Sequence, residues 1–367
     1  MKQKVIFIIN SQSCYYSEDS SDNDNENEDK SQTNLTINNT SLNILRIIGR
    51  YLQMCRLLYA ISSHIIYSMT ELIDFYVSAI YEIFAKDLTV PGEALHSAAL
   101  NNNLKRISET VLVKMGKRPP SSQMVEFDLR DSEQFFGLSK RINAVESCNS
   151  VIHQFAFLHG YLDHLIEATK TEVVNERLSL KVYIEDTQNC VRDMRKPIFT
   201  CVTARAIDIP STITAINKVK WDLSHVSVQH NSYVDNINRA TQLFAMRLEE
   251  LAQSMTTPKA SLFDSYCHVV THVLVEGYSN AKKCSIAGRA LMQLDFTHFM
   301  SVLEVLSGMK HPVHQQYVDQ YLKAFYLGSG LEDFIMTQKN YSSKHVIGLI
   351  NCCLLYTSDA ADDLLCV

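Results

Sequence analysis

From Leu42 to Ile350 apolar residues come back every three or four positions, and little interrupts them, since the chain has only 11 glycines and 7 prolines in 367 residues. That interval is the repeat of a helix face turned toward a core. With turn-making residues at less than half their usual share, a strand-rich fold would lack its tight turns and a phosphate-cradling loop its glycines. The pattern predicts an all-α chain, a series of antiparallel helical bundles, and no βαβ unit.

Along the chain the stripe starts and stops. Residues 1–40 are an acidic, Ser/Asn-rich stretch with too little apolar surface to offset the entropy of ordering, and are expected to be a disordered linker. A helical segment is expected over 41–116, carried by Leu42, Leu45, Ile48, Leu52 and Cys55 and then by Ile65, Met69, Ile73, Tyr76, Ile80 and Phe84, as two helices meeting near Ala60 to Ser63. A weaker helix from Asn101 to Met115 ends at Gly116, and 117–131 reads as a loop. Residues 132–352 form the expected C-terminal helical bundle domain. Within it Arg195-Lys196-Pro197 closes one helix, Ile198 to Ala206 is ambiguous between helix and strand, and Ser211 to Met255 is one long periodic stretch with Val226 and Leu243 in its stripe. Nine to twelve helices in all are expected. Trp221, flanked by Val219 and Leu223, is expected to pack between helices.

The net charge of −6 is local. Between Ser17 and Lys30 seven acids face one lysine, and the rest of the chain carries 33 residues of each sign. A neutral folded part gives neither a nucleic-acid footprint nor a basic membrane face. No apolar run approaches the roughly 18 residues that a transmembrane helix needs. The ten cysteines are scattered, without a C-x-x-C pair, the pattern of reduced thiols packed as small hydrophobes in a cytosolic protein.

Few spacings carry chemistry. No phosphate loop, nucleophile elbow or dinucleotide fingerprint is present. His268 and His272 stand at i and i+4 with Cys267 beside them, a spacing that lets two imidazoles share a metal, and a metal-dependent hydrolase is the alternative they raise. The place of that motif's general base is taken by Val269, which favours two half-buried histidines on a packed helix. His311 and His314 flank Pro312 in a connector. Lys282, Lys283 and Arg289 make a basic knot that could meet a phosphoinositide head group or an acidic partner, although cations also gather at helix ends to complement the dipole. No catalytic residue, cofactor or metal follows from these patterns.

Several runs are more specific. Ser41-Leu42-Asn43-Ile44-Leu45-Arg46, Arg195-Lys196-Pro197-Ile198, Val219-Lys220-Trp221-Asp222, Gln229-His230-Asn231 and Tyr233-Val234-Asp235 precede Val275-Glu276-Gly277-Tyr278-Ser279-Asn280-Ala281-Lys282-Lys283-Cys284 and Gly288-Arg289-Ala290-Leu291-Met292-Gln293-Leu294-Asp295-Phe296. In this order they closely resemble the C-terminal region of the syndetin family, over about Ser41 to Asn351. The resemblance implies a non-catalytic interaction module of a subunit of the endosome-associated recycling protein complex. Such a complex tethers vesicles that return from endosomes to the plasma membrane. It further implies stacked bundles of the tethering-rod type, a cytoplasmic location on the periphery of recycling endosomes, and no cofactor. As partners it implies the subunits shared with the Golgi-associated retrograde complex, with a peripheral adaptor, a small GTPase or fusion proteins beside them. Family members carry coiled-coil and rod helices ahead of this region, so the chain reads as a fragment that meets the shared subunits mainly through absent N-terminal helices. Residues 353–367 resemble a translated sequencing adapter and are set aside from the fold.

Overall fold

The computed structural model describes residues 37–86, 97–113, 116, 128–169, 179–253, 257–310, 312–338 and 340–353. The acidic tract, most of the expected 117–131 loop, and residues 354–367 lie outside them. Among the described residues there are thirteen α-helices and no strand, so the chain is all-α. They fall into two compact units, one running to Leu129 and including Gly137–Ile198, the other made of Arg130–Phe136 and everything from Phe199 on. Residues 132–352, read from the sequence as one domain, contribute to both.

In the first unit, α1 (Asn39–Leu57) starts where the Asn38 side chain accepts from the Ser41 amide at 2.8 Å. A single 3₁₀ turn, Tyr59–Ile61, leads into α2 (Ser62–Phe84), which puts the break where the sequence expects it. α2 is central. Its Met69, Ile73 and Val77 are wholly buried, each side chain worth about 1.5–3 kcal/mol of burial, and it packs against α1, α3 (Ala98–Ile107), α4 (Leu138–Phe157) and α5 (His159–Ala168). α3 runs on as a π turn, Ser108–Leu112.

Charge is carried into this core with partners. Arg106 grips Asp74 through two bonds of 2.7 and 3.0 Å, and the Tyr183 hydroxyl donates to the same carboxylate at 3.1 Å. Arg141, with no exposed surface, donates to the carbonyls of Phe84 and Leu129.

α6 (Leu180–Thr203) does not end at Pro197. The proline removes one helical hydrogen bond at a cost of about 3 kcal/mol, but Ile198, Phe199, Cys201 and Val202 are each buried to within 1% of completeness. Their burial outweighs the lost bond, and the stretch that could have been a strand is helix as far as Thr203.

The second unit corrects another expectation. The periodic stretch Ser211 to Met255 is not continuous helix but α7 (Ile209–Asn217), an irregular segment over 218–231, and α8 (Ser232–Ala252), and the thirteen described helices are one more than the upper end of the expected nine to twelve. Val219 and Val226 keep the helical interval by coincidence, and Val226 is exposed. On α8 the buried phase runs through Thr241, Phe244 and Leu248, leaving Leu243 outside.

α9 (Lys259–Ser279) is the hub of this unit, against α7, α10 (Ile286–Ser307) and α11 (Gln315–Ala324). α8 packs on α7 and α10. A short α12 (Leu331–Thr337) and a last helix, α13, over 343–353 complete it. Phe135 and Phe136 take left-handed φ values of 51° and 55°, a strained conformation for aromatic residues, and the Phe135 ring meets Phe244 at 5.6 Å.

Three glycines serve close approaches instead of turns. A Cβ on Gly277 would lie 2.7 Å from Ile216 Cδ1, and one on Gly288 or Gly348 would overlap the carbonyl oxygen of Trp221 or Ser279.

Candidate functional site

Histidines distant in sequence come together along α9. His268 and His272 lie one turn apart with ring centroids at 4.3 Å, and His314, at the start of α11, brings its Nδ1 to 3.2 Å from that of His268. The His314 Nε2 is 3.3 Å from an Asp264 oxygen. His272 stacks on Tyr317 at 4.2 Å, and Tyr317 stacks on Tyr341 at 4.8 Å. Both α9 histidines are half-buried.

The arrangement is a ladder of rings across α9, α11 and the residues leading into α13. Cys267 beside it is wholly buried, and burial pushes its thiol up to about 12, helped by the charge of Asp264. It is therefore a packed thiol and not a ready thiolate ligand. His311 lies outside the described residues.

At the end of this ladder Glu276 on α9 accepts from the His345 ring at 2.8 Å and from Lys344. Partial burial works against its charge, but the two hydrogen bonds and the positive charges behind them outweigh it and hold the carboxyl below the ordinary range.

The basic knot is divided. Lys282 and Lys283 are exposed, whereas Arg289 is only 4% exposed. Its guanidinium donates to the Phe325 carbonyl at 2.9 Å and lies over the Phe325 ring at 4.8 Å and the Tyr326 ring at 5.5 Å. Arg289 thus fastens α10 to the end of α11.

The expected packing of Trp221 holds, although on a loop: it is 3% exposed and meets Tyr278 edge-on at 5.7 Å. Ser285 joins that loop to α10. Its hydroxyl accepts from the Gly288 amide at 3.1 Å as the helix cap, accepts from the Leu223 amide at 2.9 Å, and donates to the Leu223 carbonyl at 2.7 Å. An open cleft of about 840 Å³ lies nearby, edged by Asp208, Pro210, Lys218, Lys220 and Leu291.

A concentration of exposed apolar residues in the first unit was not singled out from the sequence. At the turn between α1 and α2, Leu57 is 83% exposed, and Met54, Leu58, Tyr59 and Ile61 are each more than 40% exposed. The helical stripe ends at Cys55, so a run of apolar residues just past it was the available signal.

A family model described as "Syndetin, C-terminal" matches residues 135–366. The chain belongs to the syndetin family. Proteins named Syndetin from Gallus gallus, Rattus norvegicus and Mus musculus are each 32% identical to it over 340 residues, covering 87% of this chain and 35% of theirs. This syndetin-family chain therefore spans about a third of the length of the curated relatives it matches. The family match reaches across the last residues that the sequence reading set aside. Among the described residues no helix is long and apolar enough to cross a membrane.

Proposed function

We propose that the chain is a non-catalytic interaction module of a vesicle-tethering subunit acting in endocytic recycling to the plasma membrane, peripheral to recycling endosomes. Its occupant partner is another helical protein of that machinery, a peripheral adaptor in preference to the subunits shared with the Golgi-associated retrograde complex. Membership of the syndetin family supports the setting.

The observation that carries the reading is the apolar tip of Met54, Leu57, Leu58, Tyr59 and Ile61. Exposed apolar side chains scattered singly need no explanation, but five within eight residues at one helix junction are a concentration of the kind found at contact surfaces. A neighbouring helix could bury them, with anchors at the spacing of one helix turn.

The test is affinity purification from cells expressing the tagged chain or a variant with Leu57→Ser, Leu58→Ser and Ile61→Ser. The parent is expected to recover tethering or adaptor proteins that the variant loses, with equal helical circular dichroism. Equal recovery by both would remove the tip from the reading, and recovery of no trafficking protein by the parent would remove the reading itself.

A further inference from the structure

We propose that His230, Asp235 and His298 form a binding site for a zinc-class divalent ion that pins the 218–231 segment and the start of α8 to α10. The three come from three places: His230 closes the irregular segment, Asp235 is in the first turn of α8, and His298 is on α10. Their donor atoms all lie within 4.8 Å of one another. The His230 Nε2 is 2.8 Å from an Asp235 oxygen, and the His230 and His298 rings lie nearly parallel, 15° apart, with centroids at 4.0 Å.

Zinc takes imidazole nitrogen and carboxylate oxygen at about 2.0–2.2 Å in a tetrahedron, so its donors sit roughly 3.3 Å apart by geometry. An imidazole lone pair lies in the plane of its ring, so the two stacked rings must turn out of the stack to face one ion, which the partial exposure of all three side chains leaves room for. Two neutral imidazoles and one carboxylate suit zinc, cobalt or nickel, whereas calcium and magnesium need shells built of oxygen. Three protein donors leave a fourth position open to water.

The backbone beneath the trio is fixed independently. Asp295, one turn before His298 and 1% exposed, accepts from the Asn231 amide and from the Asn231 side chain, both at 2.8 Å, and from the Tyr233 hydroxyl at 2.6 Å. Asn231 stands at the N-cap of α8, yet its side chain makes no capping bond and donates to Asp295 instead. This clamp sets His230 beside His298, as the outer shell of a metal site orients its ligands. An ion pair of His230 with Asp235 and ring stacking would account for the same arrangement without an ion, and a binding measurement decides between them.

The full chain, freed of metal by a chelator, is titrated with zinc by calorimetry and with cobalt by visible absorption. One equivalent is expected to bind, with cobalt bands of tetrahedral intensity and a rise in melting temperature on adding zinc. His230→Asn, His298→Asn and the exposed Asp235→Asn should each weaken binding about tenfold or more, while His272→Asn leaves it unchanged. Absence of binding, or binding lost through His268→Asn or His272→Asn but kept in the other three, overturns the proposal.

Discussion

Gly288 lies directly beneath the carbonyl of Trp221, with no room for even a methyl group between α10 and the loop that crosses it. The Ser285 amide donates to the same carbonyl at 3.1 Å, so the oxygen is held on both sides and cannot swing away. Gly288→Ala is expected to destabilise the second unit by about 1–3 kcal/mol through overpacking, with a red shift of the emission of the sole tryptophan. Gly160→Ala is the control, because a Cβ there meets nothing within 4 Å. Denaturant unfolding of the two variants measures the difference.

Asp74→Ala should cost about 1–3 kcal/mol, since it leaves the Arg106 guanidinium without its carboxylate and the buried Tyr183 hydroxyl with the Thr70 carbonyl alone. The cost stays below that of a fully enclosed pair because the Arg106 side chain is 31% exposed. A double mutant with Arg106→Met should recover part of the loss, and thermal or urea unfolding gives both values.

Acid should weaken the second unit through Glu276. Its carboxyl is held below the ordinary glutamate value of about 4.3 by Lys344 and His345 against the pull of burial. The lowered value means that this contribution is complete above the unfolded-state pKa and is lost as pH falls through the folded-state one. Unfolding midpoints measured downward from about pH 5 should fall less steeply in Glu276→Gln than in the parent.

Thiol labelling should follow burial. Cys55, Cys148, Cys190, Cys201, Cys267, Cys284 and Cys352 are buried, and burial pushes the thiols of Cys190 and Cys284 up to about 12 and that of Cys352 up to about 11. Among the described cysteines, an alkylating reagent under native conditions should modify Cys353 first and these seven only on unfolding, as read by peptide mass spectrometry. Fast native labelling at Cys148 or Cys267 would contradict the packing described.

The helices were legible where an apolar stripe coincided with an end signal. The α1–α2 break was visible because the period changes phase at Ala60 to Ser63. Pro197 misled because its local cost is visible in sequence while the burial of Ile198 to Val202 is not. The segment 218–231 misled in the opposite way, since Val219 and Val226 continue a helical interval that no backbone supports there.

Of the candidate sites, the His268–His272 pair was visible by spacing on one helix, but its neighbour His314 and the stack on Tyr317 depend on how α11 docks. Arg289 reads as part of a charge cluster with Lys282 and Lys283, and only its packing against Phe325 separates it from them. His230 and His298 are 68 positions apart, beyond any local pattern, and only the pairing of α8 with α10 brings them together.

The three tight glycines have a consequence for variation in living cells. A side chain at Gly277, Gly288 or Gly348 would raise the fraction of unfolded chains that chaperones and proteases sort. Such an allele would register as a lower steady-state amount of protein with its associations intact. An allele at Leu57 or Leu58 would leave the amount alone and change the company the chain keeps.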